Sequence, residues 1–426
     1  MIKNLIHTLS SRLVISLLNL ALLFITTKLM GAGNKGEISL FVLNISLAAI
    51  FSGLFGGPSL VYLIPRFPLR TLVLLNYTWA AITAFILMAI IHVGWLPSTL
   101  TGWDLFVLAL MECLVAANTM ILLGQEHVAR HNFVQLIKVS TTVLLLIGMQ
   151  LLDMSLGFDN FIEAYRIGLL IALLYSVFSI RQGQKTSSDH VSIRATMQAA
   201  LKFGSLVQVG NIAQLLNYRL SFYFLELMIH PPGKALIRIG IYSAALQVAE
   251  AVWQFARSVS TVQYAKVSNL KNDNEGWRIS LLLTKLNFIV TAIGVIFLAL
   301  LPTEFYVRIF GVEFEEIRWL VIILAPGIIA LSMSNAFSHF FAGIGLHKIN
   351  TYSSVIGLVL TILVGFPSIK YFGTSGAAAT ATLAYVVQTV YQVAILMRKH
   401  HVILTDFLIS KEDIDLLSST IKRLRS

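Results

Sequence analysis

The sequence predicts an all-α polytopic membrane protein with about twelve transmembrane helices in two pseudo-symmetric bundles of six. Composition is the first reason. Of 426 residues, 57% are hydrophobic and only 12% charged, whereas soluble domains carry about 25% charged residues. Run length is the second, because the apolar residues gather into stretches close to the roughly 20 needed to cross a bilayer as a helix. The third is the distribution of Lys and Arg. With the N-terminus inside, about 21 fall on inside-facing positions. Only about 7 face outside, namely Lys28, Lys35, Lys234, Arg238, Arg308, Arg318 and Lys370. That bias predicts both termini on the cytoplasmic side and an even number of spans.

The first bundle, 1–180, holds runs at 13–30, 38–64, 71–93, 104–123, 134–152 and 161–180. The first run has a basic flank like a secretory signal. It lacks a small-x-small cleavage site before Gly31 and is read as a retained span. A polar cytoplasmic linker, 181–202, follows. The second bundle, 203–397, holds runs at 203–229, 239–263, 281–301, 319–341, 351–369 and 375–397. In the tail, 398–426, Ile414, Leu417, Ile421 and Leu424 recur at helical spacing, which predicts an amphipathic helix on the inner membrane surface.

The halves look alike. Gly36-Glu37-Ile38-Ser39 opens the second span and Gly240-Ile241-Tyr242-Ser243 the eighth. Six spans each make them parallel repeats about an axis along the membrane normal. Spans two and ten carry helix breakers: Gly53, Gly56, Gly57 and Pro58 in one, Pro326-Gly327 in the other. Interrupted spans are tolerated where backbone lines a cavity or a helix must bend.

Several chemistries find no support. The net charge of +11 follows from membrane topology, so nucleic acid is not expected as a partner. Cys113 is the single cysteine, which excludes an internal disulfide and a thiolate cluster. No phosphate-binding Gly-x-x-x-x-Gly-Lys-Ser/Thr is present. His127 and His131 sit one helical turn apart without a third ligand, so no metal site is expected. Asp413-Ile414-Asp415 falls in the tail helix, and no cofactor is expected. No outside loop exceeds about 20 residues. A glycan polymerase or ligase, the enzymatic alternative, needs such a loop for its acceptor, and the chain is read as a transporter rather than an enzyme.

The charges inside spans are the strongest chemical signal. Counted from the turn His230-Pro231-Pro232-Gly233, Arg219 and Glu250 both lie about 15 Å from one face. An ionisable group at that depth costs at least about 2.5–3.5 kcal/mol and needs a partner or a wet cavity. Glu112 shares their depth to within a turn. Glu226 lies further along the seventh span, Arg257 further along the eighth, and Arg12 at the inner mouth of the first. Two compatible readings stand. Arg219 and Glu250 form an ion pair holding two helices together. Alternatively, the arginines line a cationic lumen that attracts an anion, beside a carboxylate able to exchange a proton.

Several ordered pieces stand out: Leu29-Met30-Gly31-Ala32-Gly33-Asn34-Lys35-Gly36-Glu37-Ile38, Gly57-Pro58-Ser59-Leu60-Val61-Tyr62 and Gln214-Leu215-Leu216-Asn217-Tyr218-Arg219-Leu220. Later come Gly240-Ile241-Tyr242-Ser243 with Glu250 and Trp253, Phe310-Gly311-Val312-Glu313-Phe314, and Tyr371-Phe372-Gly373-Thr374-Ser375-Gly376. In this order they resemble the Wzx-type flippases of lipid-linked oligosaccharides, in the superfamily that also holds multidrug antiporters and the peptidoglycan-precursor flippase. The resemblance implies the MATE-like V of two six-helix bundles around a central cavity. It implies undecaprenyl-pyrophosphate-linked glycan units as cargo, moved by alternating access across the bacterial cytoplasmic membrane for cell-surface polysaccharide. Membrane lipid, glycosyltransferases and a polymerase are the implied partners. Arg219, Arg257 and Arg12 would meet the pyrophosphate, and Glu250, Glu112 or Glu226 would couple H+ or Na+. The family pattern has an acidic residue after Tyr-Arg-Leu. Here Ser221 stands there, so one of those three glutamates must supply the coupling charge. A multidrug antiporter on the same fold is the other alternative.

Overall fold

A computed structural model describes residues 2–57, 59–182, 193–267 and 273–400. Its side-chain description leaves out, among others, 2–10 and 254–276. The tail from 401 and residues 183–192 of the expected linker fall outside the described residues.

The first half comprises α1 (Ile2–Phe24), which closes in a π turn at Ile25–Leu29, then α2 (Gly31–Gly56) and the short α3 (Ser59–Leu63). It continues through α4 (Leu69–His92), α5 (Gly102–Gly124), α6 (Val128–Leu151) and α7 (Phe158–Gln182). The second half comprises α8 (Ile193–Met228), α9 (Pro232–Val267), α10 (Asp273–Leu300), the surface helix α11 (Thr303–Phe310), α12 (Ile317–Gly343) and α13 (His347–His400). Ten of the described helices are long and apolar enough to cross a membrane. One candidate, 347–399, is two arms folded at Gly373, whose φ is +55°. Ser353 donates to the Gln388 carbonyl and Ser368 to that of Gly376, so the arms run antiparallel. α8, 36 residues long, is not among the ten; it is too polar along its cavity-facing sides. Counting both arms and α8 gives the expected twelve passes.

The helices are apolar on both faces, and size sorts them. On α4 the buried stripe is Leu72, Asn76, Ala80, Thr83, Ala84, Leu87 and Ile91, small or polar at four of seven positions. The exposed stripe holds the large Leu74, Ile82, Phe85 and Ile86. Lipid solvates large apolar groups as well as a protein core does, so helix contacts select small side chains and hydrogen bonds.

The halves meet where α2 crosses α9. A Cβ on Gly36 would lie 1.9 Å from the Leu236 carbonyl oxygen, and one on Gly240 would lie 1.9 Å from that of Ala32. Each glycine thus meets the carbonyl four residues before the other, which is the signature of a two-fold crossing. Ser39 donates to Ser243 at 2.8 Å, 204 positions apart. The repeat read from Gly36 and Gly240 is therefore the pseudo-symmetry axis itself. Beyond the crossing, Glu313 accepts the Ala32 N–H at 2.7 Å and joins the second half to the start of α2.

Of the two helix breaks expected, one occurs. The residue before a proline is pushed out of helical geometry. Gly57 accordingly ends α2 in an extended conformation, φ −93° and ψ −155°. At Pro326 the helix continues. Thr382 donates to the Ile323 carbonyl at 2.7 Å, in the turn before the proline. Gly327 serves close packing, since a Cβ there would lie 2.6 Å from Thr382 Cα.

Candidate functional site

A cavity of about 330 Å³ lies between the halves, walled by α1 and its π turn, α2, α8 and α9, with Phe161 of α7. α8 presents Leu215, Arg219 and Phe222 to it, a stripe at four- and three-residue spacing. Arg219 makes a bidentate pair with Glu250 of α9, at 3.0 Å to Oε1 and 2.8 Å to Oε2. The guanidinium also lies over the Phe222 ring, 5.7 Å from its centre. The side chains are 23% and 10% exposed, so the pair is largely desolvated but touches the cavity.

A second basic side chain shares this wall. Lys35 of α2 is 4% exposed and donates to Gln247 Oε1 at 3.3 Å. Two basic side chains and one carboxylate therefore line the cavity. The sequence places Lys35 in an outside loop, because the apolar run begins at Ile38. The helix in fact begins at Gly31, and Lys35 adjoins the crossing glycine. The match between Gly36 and Gly240 was the signal that could have placed it. The π turn ending α1 was also unforeseen. Its Thr26 lines the cavity and bonds back to the Leu22 carbonyl at 2.8 Å.

The other candidates do not gather here. Equal depth did not put Glu112 beside Arg219. Glu112 faces its own bundle, where Lys138 donates to it at 2.8 Å and Tyr165 at 2.9 Å. It lines an adjoining cavity of about 410 Å³ with Gln208 and Tyr218 of α8, and Leu215 borders both cavities. Glu226 lies near the end of α8 beside His230, outside the central cavity, and its Oε2 is buried without a hydrogen bond. Arg12 sits one turn before Ser16, the first α1 residue to line the cavity, and acts electrostatically on His131. Arg257 belongs to α9, and its side chain lies outside the described residues. α9 starts at Pro232, seven residues before Ile239, so Arg219 and Glu250 are not equally far from their turn. α8 packs mainly on α13, and α9 on α12 and α2.

No family model matches the sequence, and no curated protein matches it. Solved structures share its architecture. An inward-facing MATE family transporter of the MOP superfamily aligns over 92% of this chain and 98% of its own, at 14% identity and TM-score 0.69. The lipid II flippase MurJ, in an inward closed conformation, aligns over 96% and 89%, at 16% identity and TM-score 0.68. A MOP superfamily transporter from Pyrococcus furiosus, described by a binding pocket of reversed polarity, aligns over 93% and 94%, at 13% identity and TM-score 0.64. At such identities the likeness is one of fold. The chain is a polytopic helical membrane protein with the MATE-like fold of two six-helix bundles.

Proposed function

We propose that this protein moves a lipid-linked oligosaccharide, joined to its polyprenol through pyrophosphate, from one leaflet to the other by alternating access. The observation that carries this reading is the charge imbalance of the central cavity, where Lys35 and Arg219 face a single carboxylate. An excess cation in a partly desolvated chamber favours an anionic guest. Arginine suits a phosphate because its planar fork donates two parallel hydrogen bonds and stays charged. The fold shared with MurJ, named a lipid II flippase, supports the same class of cargo.

The bidentate pair suggests how transport is coupled. Cargo phosphate and Glu250 compete for the same guanidinium fork. When phosphate takes Arg219, Glu250 loses its counter-charge and accepts H+ or Na+ instead. Release of that ion on one side of the membrane returns Glu250 to Arg219 and expels the cargo. In this reading Glu112 is a further ion-exchange candidate, while Arg12 and Arg257 guide the anion inward. The protein then sits in the bacterial cytoplasmic membrane with both termini inside, among the glycosyltransferases and polymerase that make and consume its cargo. The fold shared with MATE transporters also admits a multidrug antiporter, although excess positive charge works against cationic drugs.

The test is flipping of a fluorescent polyprenyl-pyrophosphate oligosaccharide in proteoliposomes, with inserted protein quantified. Arg219→Ala and Lys35→Met should each slow flipping at least about tenfold, the kinetic equivalent of one lost charged hydrogen bond. Normal rates in both variants would remove the central cavity from the mechanism.

A further inference from the structure

α8 has a second, mostly polar stripe, Val207, Asn211, Gln214 and Tyr218, that borders a cavity in the second bundle; its last three residues also border the 410 Å³ cavity of Glu112. The cavity in the second bundle is about 450 Å³, within the range of small-molecule sites. This cavity differs chemically from the central one. Among the described residues no carboxylate, lysine or arginine lines it. Its wall is carboxamides, hydroxyls and two histidines, with the rings of Tyr218 and Trp253, 6.5 Å apart, on one side.

The polar groups are held in place by one another. Ser354 donates to Gln214 at 2.7 Å. Gln392 accepts from Ser334 at 2.8 Å and donates to Ser338 at 2.9 Å. Asn350 donates to the Ser338 carbonyl at 2.8 Å, and its own Oδ1 is buried with no hydrogen bond in the protein. Each carboxamide carries two donors and an acceptor oxygen. A wall that mixes fixed donors and acceptors complements a guest whose groups both give and accept hydrogen bonds. Sugar hydroxyls do so, and the ring C–H faces of a sugar lie flat on aromatic rings. A bare cation needs charge compensation that this wall lacks.

We propose that this cavity is the subsite for the uncharged, polyhydroxylated part of the cargo, and that Gln214, Asn350 and Ser354 select the sugar. The proposal rests on the reading above, in which the anionic part sits at Arg219. Asn211, Gln214 and Tyr218 also line the 410 Å³ cavity, which shares Leu215 with the central one, so one guest can reach both cavities through it.

Cysteine protection in lipid nanodiscs separates the two ideas. Cys113→Ala supplies the background. One reporter is Asn335→Cys, in the polar cavity; the other is Ser46→Cys, in the central one. The probes are inorganic pyrophosphate and neutral disaccharides (N,N′-diacetylchitobiose, lactose and maltose), each against a water-soluble maleimide. At least one disaccharide should slow labelling at position 335 about tenfold. Asn350→Leu or, where that variant fails to fold, Ser354→Ala should abolish that protection and leave pyrophosphate protection at position 46 intact. No protection at 335 by any disaccharide overturns the sugar subsite. So does protection at 335 by Na+ alone. Failure of pyrophosphate at 46 overturns the anionic-cargo reading separately.

Discussion

α2 and α9 are the same helix twice in backbone, and different helices in chemistry. Gly36 and Gly240 cross at identical closeness, and Ser39 bonds Ser243. The 204-residue shift that relates these pairs places Ile239 opposite Lys35 and Ser46 opposite Glu250. So α2 brings a cation where α9 brings a fully buried isoleucine, and α9 brings a carboxylate where α2 brings a hydroxyl. α2 also stops at Gly56, whereas α9 runs 36 residues without interruption. Symmetric contacts form the joint, and the departures from symmetry make the cavity's charge. Substitutions at matched positions should therefore act alike at the joint and unlike in the cavity.

The largest effect belongs to the joint. Gly36→Val and Gly240→Val each push a branched side chain into a backbone carbonyl, which cannot swing aside as a side chain can. Overpacking usually costs about 1–3 kcal/mol, and both variants should exceed that range by similar amounts. Gly33→Ala, with nothing within 4 Å of its Cβ, is the neutral control. Thermal unfolding in detergent reads all three. A large loss in only one of the two valine variants would break the equivalence.

In the cavity the matched positions should part. Glu250→Ala strands Arg219, and removing one partner of a largely buried pair costs about 3–5 kcal/mol. Ser46→Ala removes only a bond to the Val42 carbonyl of its own helix and should change stability by less than about 0.5 kcal/mol. The double variant Arg219→Met/Glu250→Leu should recover most of the stability, because apolar replacement of a buried pair is often neutral or better. Pyrophosphate binding should stay lost in that double variant. Retained binding would reduce the pair to a structural clasp between α8 and α9.

Lys35→Met sharpens the same contrast at smaller scale. Volume is kept and a buried polar amine removed, so the unfolding temperature should hold or rise. Pyrophosphate affinity should fall by about 1.5–3 kcal/mol, the worth of a hydrogen bond to a charged group. Titration calorimetry on the detergent-solubilised protein measures it. Unchanged affinity would leave Arg219 as the cavity's sole anion ligand.

How legible these features were depended on whether position along one helix was enough. The twelve passes and the Gly57 break follow from apolar run length and a Gly-Pro step. The Arg219–Glu250 pair follows from the need of a buried ion for a partner, not from the depth count, which the earlier start of α9 overturns. Depth does not give azimuth, and so Glu112 was grouped with charges it does not face. Hydropathy also misplaced the start of α2. A lysine one residue before a crossing glycine lowers the local average and mimics a loop, although the helix has begun and the glycine holds Lys35 against α9. The polar cavity in the second bundle left no trace at all. Its carboxamides and hydroxyls come from α8, α12 and both arms of α13, and nothing in any one of those segments announces the others.

The smallest effect tests whether the axis is chemically symmetric as well as sterically. Ser39 Oγ lies 2.8 Å from Ser243 Oγ, and each hydroxyl also has a carbonyl in its own helix, Lys35 at 2.7 Å and Gly240 at 3.0 Å. Neither single alanine variant leaves a buried group without a partner, because the surviving serine falls back on its own carbonyl. Ser39→Ala and Ser243→Ala should each cost at most about 1 kcal/mol, and by equal amounts. The double-mutant cycle isolates the bond across the axis, with an expected coupling of about 0.5–1 kcal/mol. A coupling near zero would mean that both protons already reside on the intrahelical carbonyls. At the crossing itself the close approach of the glycines would then hold α2 to α9, and the serines would be packing in the gap that the glycines leave.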